Sequence, residues 1–307
     1  MRERYAAQVR LLVQLIPFVA EETDFALKGG TAINLFYRNL PRYSVDIDLI
    51  YLPIQDRDAS LKGIADGLSR IVENINASLE SAQATLAVGR GNEETRILVR
   101  APGATVKIEV SPVQRGTLFP SVPMMVHEGV EQKFGFAEIS VVAFEELFAG
   151  KIIAALDRAH PRDLFDVHHL LEAEGITDEL FRTVLVYLIS SRRPIHELLD
   201  PRPIDIADTF KEEFDSMTVE AISLQALYDA RDRLIEELRR RLTGNAAAFL
   251  EAVHDCEPDF GRIGLPQAAE LPAVRWKLLN LEKLKTNDPE RHTLYREALR
   301  ALFQANR

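Results

Sequence analysis

Over residues 1 to 142 the period of the apolar positions changes repeatedly, whereas from residue 143 onward it stays close to that of a helix. The opening segment, MRERYAAQVRLLVQLIPFVAEE, carries Gln8, Arg10 and Gln14 at helical spacing within an apolar run, which predicts an amphipathic packing helix rather than an export signal. A helix is expected to open at Gly29-Gly30 and to close by Pro41, and Ser44 to Ile50 (SVDIDLI) alternates as a strand does. A helix near 58–79 follows, then strands around 84–88, 94–99 and 105–110, with Ala101-Pro102-Gly103-Ala104 as a turn between the last two. Residues 139–142 add a last strand. Beyond them come helices over 144–158, 161–173, 178–190, 207–214, 218–242, 245–254 and 275–303. The change of pattern predicts an α+β protein, with a mixed-sheet core over 1–142 and a helical domain over 143–307.

The candidate chemistry lies in KGGTAINLFYRNLPRYSVDIDLIYL, residues 28–52. Side chains two apart on a strand share a face, so Asp46 and Asp48 converge while Val45, Ile47 and Leu49 face the other way. Aspartate is a poor strand former, and two on one strand call for a reason. Gly29 and Gly30 have no side chain, so a triphosphate can approach their amides and the start of the helix behind them, with Thr31 next in line. Fifteen residues lie between Gly30 and Asp46, room for a helix and a turn. A third carboxylate is expected on TVKIEV, where Val106, Ile108 and Val110 alternate with Thr105, Lys107 and Glu109. Carboxylates beside a phosphate cradle suit Mg²⁺-assisted attack on a phosphoryl group. That chemistry is nucleotidyl transfer, with Asp46, Asp48 and Glu109 as metal ligands and an NTP as donor. Lys28 and Arg42 flank the two halves of the motif as candidate phosphate contacts.

A second block is KIIAALDRAHPRDLFDVHHLL, residues 151–171. Phe144, Leu147, Phe148, Ile152, Ala155 and Leu156 recur at three and four, with Lys151 at the edge of the stripe and Arg158 on about the same face. Pro161 suits the first turn of the next helix, where Asp163 and Asp166 are neighbours. Acidic residues at a helix start gain ~0.3–1 kcal/mol from the dipole, which accounts for Asp163 better than Asp166 and leaves Lys151 unexplained. Lys151 is the candidate cation for a triphosphate; Asp163 and Asp166 both remain candidates for its partner or for a nucleotide contact.

The Gly-Gly helix followed by Asp-x-Asp resembles the signature of the DNA polymerase β-like nucleotidyltransferases. Within that superfamily KGGTA…R-x-S-x-D-I-D-L, the second block with its Arg-Asp-x-x-Asp, and RWKLLNLEKL (275–284) resemble the AbiEii-type nucleotidyltransferases, toxins of type IV toxin–antitoxin systems that include the MenT group. The matching stretches run from about residue 28 to 284. The resemblance implies a nucleotidyltransferase-fold core, catalytic importance for Lys151 and for Asp163 or Asp166, and Ser44 as an active-site hydroxyl. It also implies a cognate DNA-binding antitoxin encoded nearby and the 3′ end of tRNA as acceptor.

Composition changes this picture at one point. The chain has 307 residues and a net charge of −10, whereas RNA-binding proteins often carry a basic excess. A tRNA acceptor therefore requires a local basic surface, for which Arg192-Arg193, Arg239-Arg240-Arg241, Arg275, Lys277, Lys283 and Lys285 are the candidates. The acidic balance favours, as rivals, a small-molecule or protein side-chain acceptor, or a nucleotide-binding protein without catalysis. Cys256 is the single cysteine, so no intramolecular disulfide forms, and no zinc spacing occurs. No stretch approaches the ~20 apolar residues that span a bilayer, and the expected location is the cytoplasm.

Overall fold

Val106, Ile108 and Val110 are buried while Lys107 and Glu109 between them keep contact with solvent, and this alternation sets the middle of a sheet. The computed structural model describes residues 2–88 and 94–304. Its chain forms two compact units, Met1–Ala143 with Glu213–Ala221, and Phe144–Glu212 with Ile222–Arg307.

The first unit begins with α1 (Arg2–Ala20) and β1 (Phe25–Lys28). A single α turn, α2 (Gly29–Thr31), then continues as π-helical Ala32–Tyr37. Next come β2 (Asp46–Tyr51), α3 (Arg57–Ser78), β3 (Gln83–Val88), β4 (Glu94–Ala101) and β5 (Ala104–Arg115). The unit's main run ends with β6 (Val122–Met125), α4 (Glu128–Phe134) and β7 (Glu138–Val141). The strands lie in the order β3-β4-β5-β2-β1-β7-β6. Pairing is parallel for β2 with β5 and for β1 with β7, and antiparallel elsewhere, so the sheet is mixed and the protein α+β.

Helix α1 packs on β5 and β7, and α3 on β3 and β4. Leu12, Leu15 and Ile16 of α1 and Ile64, Leu68, Ile71 and Ile75 of α3 are buried, as are Ile47 and Leu49 of β2. Each such aliphatic side chain contributes roughly 1.5–3 kcal/mol of burial. The polar set of the central strands, Asp46, Asp48, Lys107 and Glu109, takes the opposite face.

Several elements differ from the sequence reading. The helix after Gly30 ends at Tyr37, ahead of Pro41, and Leu40 adopts φ 51° on the way to the acidic strand. β1, β6 and α4 carry no periodic signal long enough to read. The expected helix at 218–242 starts only at Leu224, because Glu213–Ala221 returns to the first unit. There the Tyr43 N–H donates to the Met217 carbonyl at 2.8 Å and the Val219 N–H to the Pro41 carbonyl at 2.9 Å. Arg42 and Thr218 form an isolated antiparallel bridge. The segment leading into β2 is thus braced by residues far along the chain.

The second unit is helical: α5 (Phe144–Arg158), α6 (Pro161–Ala173), α7 (Asp178–Ile189), α8 (Ile195–Leu199) and α9 (Ala207–Thr209), then α10 (Leu224–Arg241) and α11 (Gly244–His254). Helix α5 packs on α6 and α7, and α10 on α6. The expected helix at 275–303 is two helices, α12 (Pro272–Asn287) and α13 (Pro289–Gln304). Pro289 drives Asp288 out of the helical region and lacks the N–H needed to continue the ladder. Between α11 and α13, His254 Nε2 lies 2.9 Å from the His292 carbonyl and His292 Nε2 lies 3.0 Å from the His254 carbonyl, with the two rings stacked. Among the described residues no helix is long and apolar enough to cross a membrane.

Candidate active site

Strand register places the charges of the polar face in rows. Arg96, Glu109, Asp48 and Lys28 are successive partners across β4, β5, β2 and β1, and in the adjacent row Lys107 is the partner of Asp46. Cross-strand partners share a face, so Asp46, Asp48 and Glu109 come together as the alternation predicts. They do not come together alone. Lys107 Nζ lies 2.8 Å from Glu109 and 3.9 Å from Asp46, and Arg96 donates to Glu109 at 2.6 Å. Burial alone would weaken the charge on Lys107, but its hydrogen bond to Glu109 and the fields of Asp46, Glu109 and Asp48 outweigh it and raise its pKa. For Glu109 burial likewise opposes ionisation, and the contacts with Lys107 and Arg96 win, lowering its pKa. Lys107 and Arg96 are the residues that sequence reasoning passed over. The signal was present, since Lys107 shares the polar set of TVKIEV with Glu109.

The two glycines are required by their neighbours. Gly29 has φ +76°, and a Cβ there would stand 2.6 Å from Asp48 Oδ2. A Cβ on Gly30 would meet Arg42 Nη2 at 2.8 Å and Ser44 Oγ at 2.9 Å. Thr31 Oγ1 donates to the Asp46 carbonyl at 2.5 Å and lies 3.1 Å from Ser44 Oγ. Thr31, Arg42 and Ser44 are all buried, and Arg42 Nη1 also donates to the Tyr43 carbonyl. Lys28 reaches Gln114 Oε1 at 3.2 Å. The turn, the hydroxyls and the acidic strand therefore form one packed group. Gly29→Ala should cost about 1–2 kcal/mol from its left-handed backbone. It should also displace the Asp48 carboxylate, so that transfer activity falls further than the loss of folded protein explains; paired thermal unfolding and activity measurements on the variant test this.

Carboxylates on one face are the right donor type for a hard cation. Asp46 and Asp48 fit such an ion in kind and in direction. Glu109, as the structure holds it, does not complete the set, because its oxygens are engaged by Lys107 and Arg96. Among the described residues no three His, Cys, Asp or Glu side chains group closely enough to hold a metal.

The second unit gathers the other candidates. Lys151 Nζ lies 2.8 Å from Asp163 Oδ1 and 3.1 Å from Asp166 Oδ2. Arg158 Nε donates to Asp163 Oδ2 at 2.7 Å. Lys151, Asp163 and Asp166 are buried, while Arg158 is largely exposed. His160 caps α6 by accepting from the Arg162 N–H, and Pro161 fills its first turn, which fixes the direction of Asp163. Burial opposes the charge on Asp163, but Lys151 and Arg158 overcome it and hold the carboxyl far below its ordinary value. Both aspartates thus serve Lys151, with Asp163 the more heavily tied.

The proposed basic surface is largely spent on internal pairs. Arg193 pairs with Asp157 and Glu197, Arg239 with Asp200, Arg241 with Asp178 and Arg275 with Glu270. Lys285 donates to the Asp255 carbonyl. Lys277 is buried and donates to the carbonyls of Ser191 and Arg193 at 2.8 and 2.6 Å; burial lowers its pKa to about 8. It is a fastening for the end of α7, not a surface cation.

The profile of the family described as "Nucleotidyl transferase AbiEii toxin, Type IV TA system" matches residues 10–280. No curated protein matches the chain by sequence. Among solved structures, MenT4, a nucleotidyltransferase toxin from Mycobacterium tuberculosis H37Rv, superposes with a TM-score of 0.62 at 17% identity, covering 90% of this chain and 93% of that one. The structural likeness shows a shared fold, and the family match over most of the length shows the relationship. The chain belongs to the AbiEii nucleotidyltransferase toxins of type IV toxin–antitoxin systems.

Proposed function

We propose that this nucleotidyltransferase uses Mg²⁺ to transfer NMP from an NTP to the 3′ end of tRNA. The observation that carries the reading is the packing of the Gly29-Gly30 turn against Asp48, on the same face as Asp46. Asp46 and Asp48 would hold Mg²⁺, which when bound supplies positive charge to the phosphoryl oxygens. Gly29, Gly30 and Thr31 offer a backbone free of Cβ bulk to the triphosphate, with Lys28, Arg42 and Ser44 around it. Lys151, oriented by Asp163 and Asp166, neutralises charge that develops on the phosphates; such chemistry is mainly positioning and electrostatics. A carboxylate of the acidic face takes the proton of the acceptor hydroxyl. The toxin acts in the cytoplasm and is opposed by a DNA-binding antitoxin encoded beside it.

The acceptor is tested by incubating the protein with Mg²⁺, each labelled NTP in turn and total cellular RNA, beside an Asp46→Ala control. Label is expected in tRNA with the intact protein only. Label in protein, or in no macromolecule, overturns the tRNA acceptor. The internal pairing of Arg193, Arg239, Arg241 and Arg275 favours a second reading, a small-molecule or protein side-chain acceptor. Salt separates the two, because binding to a phosphate backbone falls steeply with ionic strength.

A further inference from the structure

Resting on the proposed metal role of Asp46 and Asp48, we infer that Lys107 is a resident counter-cation of the acidic face and competes with the divalent ion for it. The inference starts from the mismatch between the donor set and its arrangement. Three carboxylates share one patch of sheet, yet they are not spread around an open centre. The Lys107 ammonium stands between two of them, 2.8 Å from Glu109 and 3.9 Å from Asp46. Arg96 takes a further contact with Glu109 at 2.6 Å.

Lys107 is there by construction. It is the register partner of Asp46 on the parallel neighbour strand, and it sits two residues before Glu109 on one face. Converging carboxylates repel one another, and a cation between them relieves that repulsion whether it is an ammonium or a metal. Lys suits this task better than Arg, being a compact charge on a flexible stem that can swing away. Arg96, a planar fork on β4, stays with Glu109 when Lys107 leaves.

Two consequences follow. Without nucleotide the acidic face keeps its shape with no metal, and its affinity for a divalent ion is low. A metal binds there at the expense of the Lys107 contacts, so a donor that arrives with its own bound cation is favoured over sequential loading.

The test is Mn²⁺ binding to the full chain without nucleotide, followed by electron paramagnetic resonance or calorimetry, for the native protein, Lys107→Met, Lys107→Gln and Lys107→Arg. Both neutral variants should bind Mn²⁺ about tenfold more tightly, an effect that shrinks as salt is raised, while Lys107→Arg, which keeps the charge but swings away less readily, should bind no more tightly than the native protein. Thermal unfolding identifies any variant that fails to fold, and the other neutral substitution then carries the comparison. Asp46→Asn separates the two levels of the argument. Mn²⁺ binding that requires Asp46 but is equally strong with and without Lys107 overturns this inference and leaves the metal reading standing. Binding indifferent to Asp46 overturns the metal reading and the inference with it.

Discussion

Asp48→Asn should leave the protein folded and lower nucleotidyl transfer by on the order of 10²–10³-fold or more, the loss seen when one group that stabilises transition-state charge is removed. The substitution keeps the size of the side chain, so the contact with Gly29 and the register with Glu109 survive. Only a charge is lost, on a face that already holds Lys107 and Arg96. The melting temperature should accordingly stay within a few degrees of the parent. The measurement is transfer rate at saturating donor beside the unfolding curve. An activity within tenfold of the parent would show that Asp48 is not part of the chemistry. Activity lost in proportion to unfolding would place it among structural residues instead.

The second large effect concerns stability. Asp163→Ala should destabilise the second unit by about 3 kcal/mol, the lower end of the ~3–5 kcal/mol for breaking a buried ion pair. The lower end applies because Asp166 still faces Lys151 and because Arg158 can turn to solvent. For a unit the size of Phe144–Glu212 with Ile222–Arg307 that corresponds to roughly 6–12 °C in melting temperature. The pH dependence has a definite sign. The folded-state pKa of Asp163 lies well below its ordinary 3.8, so its stabilisation is fully present above about pH 4 and is lost as pH falls toward the native value. The gap between parent and variant, measured by denaturant titration, should be constant from pH 5 to 8 and close in stronger acid. A gap that widens on acidification would refute the assignment.

Much of the acidic face was legible because strand alternation carries direction as well as secondary structure. SVDIDLI and TVKIEV announce both their strands and the face their charges share. That the two strands are direct partners, with Asp48 opposite Glu109, is what the sheet adds. The Lys151 block was legible for a similar reason, since helical spacing and the Pro161 start bring Lys151, Arg158 and Asp163 within reach. What stayed hidden depended on contacts distant in sequence. Lys277 reads as a surface lysine in RWKLLNLEKL, and only the carbonyls of Ser191 and Arg193 make it an internal one. The basic runs looked available for RNA because their partners, such as Asp200 for Arg239, lie tens of residues away. Short elements failed for lack of length: β1 is four residues of an interior strand paired on both sides, and β6 contains Pro123, which argues against a strand.

The return of Glu213–Ala221 makes the first unit a discontinuous domain. The polypeptide passes between the units at 143–144, 212–213 and 221–222, so they are not beads on a single thread. During synthesis all the strands of the sheet leave the ribosome well before Met217 and Val219, and until those arrive the lead-in to the acidic strand lacks their hydrogen bonds to Tyr43 and Pro41. An N-terminal fragment ending at residue 143 retains Asp46, Asp48 and Glu109 but is not the whole of their domain. By the same token, the helical unit cannot be exchanged for another by one splice at the boundary without removing Glu213–Ala221 from the first unit.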